Sequence, residues 1–337
     1  MGFKAFDPNG VGVKGSLFGL PYTLEEAEII VIPVPWDVTV SYGSGTALGP
    51  HAILEASSQI DYEIPGQQSP WQKKVVMAEI PEVWDALGKE LRTKAEQYID
   101  WLEGGSDPVL AKEMHRIKEE VNEECTQLMS YVEQETAYWQ GEGKKTILLG
   151  GDHSTPFGHM KYLSSQYPNM AVLQIDAHAD LREAYESFNY SHASIMYNLL
   201  NHSDIKSLVQ VGIRDYCEQE QEIMNSDRVK TFYDESLKKQ MYQGKSWHSL
   251  CQEIINDLPD QVYISFDIDG LDPKLCPNTG TPVPGGLEFE QAIYLMNGVK
   301  ALGREILGAD LCEVSPGQGE WDANVGARIL WRLVQLL

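Results

Sequence analysis

With 337 residues, 42% of them hydrophobic, the chain can bury a substantial core, and its formal charge of −24 excludes nucleic acid and anionic membrane as natural partners. Five scattered cysteines (Cys125, Cys217, Cys251, Cys276 and Cys312), odd in number and without a C-x-x-C pair, fit a reduced cytoplasmic setting rather than a disulfide framework. There is no apolar leader at the N-terminus and no apolar run near ~18 residues, so neither secretion nor a membrane span is expected.

Gly10-x-Gly12-x-x-Gly15 has the spacing of a dinucleotide-binding loop, but no strand pattern precedes it and no long helix follows, so it is expected to be an ordinary loop. The first buried strand is expected at Ile29–Val34. A region rich in Glu, Lys and Ala then runs from about 81 to 140. It holds a helix over roughly Val83 to Leu102, ended by Gly104-Gly105. A second helix carries one apolar stripe through Leu110, Met114, Ile117, Val121, Cys125, Leu128 and Val132. A helical hairpin packed on the sheet is the plain expectation, and a partner-binding helix the alternative. Further apolar runs follow at Thr146–Leu149, Ala171–Ile175, Leu208–Ile213, Val262–Phe266 and Ile306–Leu311, with helical stretches between most of them. This alternation predicts a three-layer α/β fold: a parallel sheet with helices on both faces, plus the hairpin insertion, in a single domain spanning 1–337.

Three segments carry the chemistry: Gly150-Gly151-Asp152-His153-Ser154, Asp176-Ala177-His178-Ala179-Asp180, and Asp267-Ile268-Asp269-Gly270-Leu271-Asp272-Pro273. Each follows an apolar run directly, so each emerges at the carboxyl end of a strand, where open parallel sheets place ligands. In extended chain, alternate residues point to one side, so Asp176, His178 and Asp180 can converge, as can Asp267 and Asp269, with His153 arriving from a third strand. Four buried carboxylates would repel one another unless cations neutralised them. Two divalent ions balance that charge, and a ligand set of carboxylates with some imidazole favours Mn²⁺, with Ni²⁺ or Co²⁺ as alternatives.

These motifs resemble those of the ureohydrolases, the family of arginase, agmatinase and their relatives, and the resemblance covers most of the chain. It extends to Ile32-Pro33-Val34-Pro35-Trp36-Asp37, Gly45-Thr46-Ala47-Leu48-Gly49-Pro50, Thr279-Gly280-Thr281-Pro282 with Gly285-Gly286, and Asp310-Leu311-Cys312-Glu313-Val314. The resemblance implies an arginase-like fold. It also implies one metal held by His153, Asp176, Asp180 and Asp267, and a second held by His178, Asp176, Asp267 and Asp269, with Asp176 and Asp267 bridging. A hydroxide between the metals would attack the guanidinium carbon. Glu313 matches the carboxylate that pairs with the guanidinium, His192 matches a proton-shuttling histidine, and Thr281 matches a residue lining the substrate site. Asp180 counts with His192 and Glu313 among the catalytic residues. The family resemblance further implies a trimer or hexamer of identical chains.

The expected substrate is a small cationic guanidino compound. Arginases place small polar residues after the second motif to hold the amino acid's carboxylate. Here Arg182 and Glu183 stand there, and with Tyr185 and Tyr190-Ser191-His192-Ala193 they resemble the agmatinase branch. The helical segment at 81–140 is longer than a compact agmatinase needs. Arginine, guanidinobutyrate, guanidine and formimidoylglutamate therefore stay open; for an acidic substrate Arg182 or Arg214 would supply the cation, although Arg214 is expected to be structural. A one-metal deacetylase of related fold would lack the roles of His178 and Asp269. A non-catalytic metal-binding assembly protein would have lost a ligand or Glu313, and none is lost.

Overall fold

The computed structural model describes residues 6–337; the first five residues of the expected domain span lie outside the described residues. Eight strands follow in chain order: β1 Ile29–Val34, β2 Val75–Met77, β3 Lys145–Gly150, β4 Ala171–Ile175, β5 Ser207–Ile213, β6 Val229–Tyr233, β7 Gln261–Asp267 and β8 Glu305–Cys312. The helices are α1 Gly49–Ser57, α2 Glu82–Glu103, α3 Ala111–Gly141, α4 Phe157–Gln166, α5 Ile195–His202, α6 Glu218–Met224, α7 Asp234–Tyr242, α8 Trp247–Asn256, α9 Phe289–Ala301 and α10 Trp321–Leu336. All strands join one parallel sheet in the order β2-β1-β3-β8-β7-β4-β5-β6.

The six expected strands are present because both faces of the sheet are covered, which makes each central strand an unbroken apolar run. Alternate residues divide between two cores. Ile29, Val31, Ile147, Leu149, Leu173, Val209 and Ile264 pack with α1 and α7 to α10. Ile30, Ile32, Val34, Leu148, Val172, Leu208 and Tyr263 pack with α2 to α6. The result is the expected three-layer arrangement.

Two strands escaped the sequence pattern. β2 has only three residues and β6 is half-exposed, with Lys230 and Thr231 interrupting its apolar character. Both lie at the sheet's edges, where burial on both faces is lost and the pattern weakens.

The hairpin forms as expected, as the connection between β2 and β3. Met114, Ile117, Val121, Cys125, Leu128 and Val132 are buried against the sheet, and only Leu110 of the predicted stripe is exposed. The stripe therefore packs on the core, and the partner-binding alternative loses its apolar face. The glycine-spaced segment Gly10–Gly15 forms turns and irregular chain. No described helix is long and apolar enough to cross a membrane.

Candidate active site

The register of the four central strands builds the site. Ile175 lies opposite Phe266, Asp267 opposite Cys312, and Leu149 opposite Leu311. The chain therefore leaves β3, β8, β7 and β4 at one level, delivering His153, Glu313, Asp267 and Asp176 side by side. β3 connects through α4 to β4, while β7 and β8 fill the gap between them, so the cluster stands in the crevice where strand order switches.

The predicted ligands come together. His153 Nδ1 lies 2.9 Å from Asp180 Oδ2, 3.0 Å from Asp176 Oδ2 and 3.3 Å from Asp267 Oδ2. His178 Nδ1 lies 3.0 Å from Asp269 Oδ2 and 3.7 Å from Asp176 Oδ1. Two overlapping groups could each hold a metal ion: His153, Asp176 and Asp267, and Asp176, His178 and Asp269. Asp176 is common to both. Asp267 belongs to the first group alone, because its Oδ1 accepts the backbone N–H of Asp269 at 2.8 Å while its Oδ2 turns to His153. Asp180 reaches His153 through a left-handed backbone (φ 55°) that carries its carboxylate back over the cluster.

The electrostatics fit cations. Burial raises the carboxyls of Asp267 and Asp176, and Asp269 beside them adds to it. Burial likewise pushes Asp180 up to about 7, helped by Asp176. For His178, burial works downward, but the facing Asp269 and Asp176 carboxylates outweigh it and raise the imidazole to about 10. His153 is raised in the same way by Asp176 and Asp180. Among the described residues, these carboxylates form ion pairs only with His153 and His178. Unmet negative charge, converging oxygens and two imidazole nitrogens form a donor set suited to divalent ions.

Glu313 is buried at the end of β8 with φ 63°. Its Oε1 accepts the His153 backbone N–H at 2.8 Å, and its own N–H donates to Gly151 O at 2.8 Å. Its Oε2 faces Gly280. Burial, with Asp152 nearby, raises its carboxyl well above the usual range.

A cavity of about 150 Å³ opens over the cluster, lined among others by His178, Asp180, Arg182, Tyr185, His192 and Thr281. His192, expected as a proton shuttle, and Thr281, expected beside the substrate, both line this cavity. Burial, with the positive charge of His178, pushes His192 down to about 4, so its imidazole is neutral near pH 7. Arg182 stacks over Tyr185 at 4.7 Å, with its Nε 3.7 Å from Glu220. Arg214 donates to the carbonyls of Gly212, Asp269, Leu271 and Val283, the structural role expected of it. Another cavity, of about 910 Å³, flanks β2 and includes none of these groups.

Sequence reasoning missed two groups here. Ser265 Oγ stands 2.9 Å from His153 Nε2 and donates to Asp310 Oδ1 at 3.2 Å, fixing the far side of that ring. Both residues lie inside strands; Ser265 showed only as a lone polar residue in an apolar run, and Asp310 entered only as part of the family-like stretch at 310–314. Asp215, Tyr216 and Glu220, also in the cavity wall, carry no motif.

The sequence model described as the arginase family matches residues 27–335. The N(1)-aminopropylagmatine ureohydrolase of Thermus thermophilus is 32% identical over 91% of this chain and 88% of its own length. The agmatinase of Photorhabdus laumondii is 28% identical over 94% and 89%. The crystal structure of the agmatine ureohydrolase of Thermoplasma volcanium superposes with a TM-score of 0.71 at 21% identity, covering 96% of this chain and 94% of that one, which is a likeness of fold.

Proposed function

Because the chain belongs to the arginase family and is a hydrolase of amidine C–N bonds, we propose that it hydrolyses agmatine to urea and the free diamine. The observation that carries this reading is the cavity over the paired His/Asp groups, whose wall, beyond the cluster's own His178 and Asp180, holds Asp215 and Glu220 with Arg182. An acidic wall with Tyr185 and Tyr216 in it suits a chain with an ammonium at its far end. It disfavours a substrate with a carboxylate there, since Arg182 already faces Glu220 and Arg214 is fully engaged with carbonyls. The likeness to the aminopropylagmatine enzyme favours a second reading, in which the tail carries one more aminopropyl unit.

His153, Asp176, Asp180 and Asp267 would hold one divalent ion, and His178, Asp176 and Asp269 the other, with Asp267 the further expected ligand of the second. Mn²⁺ is the ion of choice. Bound there, the pair would supply Lewis-acid activation of water near neutral pH. The guanidinium docks on Glu313, whose Oε1 is pinned by the His153 N–H and whose Oε2 is directed past Gly280. Thr281 walls the substrate from the side. Neutral His192 can take a proton and pass it to the departing amine, so that water adds across the C–N bond and leaves urea and an ammonium ion. The test is urea release by the Mn²⁺-supplied protein from agmatine, N(1)-aminopropylagmatine, arginine, guanidinobutyrate and guanidine, with formamide release measured for formimidoylglutamate. Agmatine should show the highest kcat/KM; a higher value for any carboxylate-bearing substrate overturns the proposal.

A further inference from the structure

The hairpin of α2 and α3 does more than cover the sheet. Two of its polar residues leave the apolar interface and grip the loops that wall the cavity. On α2, Arg92 is 13% exposed; it donates to the carbonyls of Val38, at 3.2 Å, and Val40, and pairs with Glu96 at 3.0 Å. On α3, the buried Asn122 donates its Nδ2 to Ser187 O at 3.0 Å and accepts the Asn189 N–H at Oδ1, 2.7 Å. The first loop brings Ser41 to the cavity; the second brings Tyr185 and His192. The loops meet where Thr39 Oγ1 donates to Tyr190 O at 3.4 Å. Thr39 lies between the two carbonyls that Arg92 holds.

The second loop needs such a grip. Ala184, Glu186 and Ser187 adopt φ of 44°, 53° and 67° within four positions. Non-glycine residues stay in this region only when their surroundings over-determine them. Asn122 holds the chain immediately after the last of the three, and Tyr98 of α2 meets Phe188 edge-on at 5.4 Å. Neither polar side chain is required by the hairpin's own packing, which Leu91, Ala95, Val121 and Cys125 provide. A buried amide is costly unless it is hydrogen-bonded, and the bonds of Asn122 go to the loop rather than to a helix.

We propose that Arg92 and Asn122 are positioning residues: they hold the loops at 38–41 and 184–192 in the shape that sets the cavity and presents the His192 ring. The proposal rests on that cavity being the substrate site, and its primary test does not depend on activity. Amide hydrogen exchange, read by mass spectrometry, compares the wild type with Arg92→Met, Arg92→Lys, Asn122→Ala and Lys94→Ala. Lys94 bonds Glu90 and Glu120 within the hairpin and touches neither loop, so its variant reports hairpin loosening alone. Arg92→Met should raise exchange over 38–43, and Asn122→Ala over 185–192, each by about tenfold or more. The central strands, the metal content and the Lys94→Ala loops should stay at wild-type values, and Arg92→Lys should recover part of the protection. KM for the best guanidino substrate should rise by a larger factor than kcat falls. Unchanged loop exchange in both Arg92→Met and Asn122→Ala, or equal loosening by Lys94→Ala, overturns the proposal. If Arg92→Met does not fold, Arg92→Lys decides by the same exchange measurement. A wild type inactive on every guanidino compound would sink the functional reading, while the exchange result would still decide the positioning.

Discussion

Glu313 is held from three directions: its N–H donates to Gly151, its carbonyl accepts from Thr279 Oγ1 at 2.8 Å, and its Oε1 accepts from His153. Those bonds commit the backbone and one carboxylate oxygen, and in the proposed function the other oxygen pairs with the guanidinium. Glu313→Gln keeps the shape and removes the charge, so kcat/KM should fall roughly a hundredfold with metal content unchanged; near-normal turnover in steady-state kinetics would make Glu313 structural. His159 shows the opposite use of burial. Its ring lies between Thr146 Oγ1 at 2.8 Å and the Tyr263 hydroxyl at 2.7 Å, and burial pushes it down to about 3 from 6.5. An unfolded chain takes up a proton near 6.5 that the folded chain refuses until about 3. Stability from this group is thus complete above 6.5 and falls as pH drops, by about 1.4 kcal/mol per unit at most. Denaturant unfolding of His159→Gln should show a shallower acid slope across that window than the wild type. Equal slopes would mean that the folded protein protonates His159.

At the level of elements, α4 crosses α3 at Gly158, where a Cβ would collide with Met129 O and come within 3.1 Å of Val132 Cβ. Gly158→Val must push the helices apart or distort α4, which begins only four residues after His153. A loss of about 1–3 kcal/mol in unfolding free energy is expected, checked by chemical denaturation; an unchanged midpoint would show that the helices have slack. What was legible in the sequence follows from the same geometry. Central strands buried on both faces gave unbroken apolar runs, and the Asp and His motifs stood at their ends, so the strands and the segments that meet there could be read locally. The edge strands β2 and β6 could not, because exposure had mixed their composition. Arg92 and Asn122 left no trace either. Each is one polar residue in a long helix, and its partner lies 52 or 65 positions away, a distance no local pattern encodes.

Across the whole molecule, the proposed metal ligands tie together segments from β3, β4 and β7, so ion binding should report on the complete fold. Elemental analysis should find about two Mn²⁺ per chain in the loaded wild type. Asp176→Ala, which removes the carboxylate common to both groups, should retain less metal than Asp269→Ala, and stripping the wild type with a chelator should lower its Tm, with recovery on adding Mn²⁺. Equal retention in the two variants would refute the sharing of Asp176. The position of β8 carries a further consequence. It is the last of the described strands in sequence order, yet it lies between β3 and β7 at the centre of the sheet. During synthesis the ribosome releases β1 to β7 while the slot that joins the two halves of the sheet is still vacant. Until β8 slides in, two strand edges with bare amides and carbonyls face each other, and the carboxylates of Asp176 and Asp267 lack the wall that Glu313 completes. A nascent chain stalled before residue 305 should therefore be a client for chaperones and prone to pairing with its neighbours on the same message, and commitment to the native state should wait until β8 has emerged.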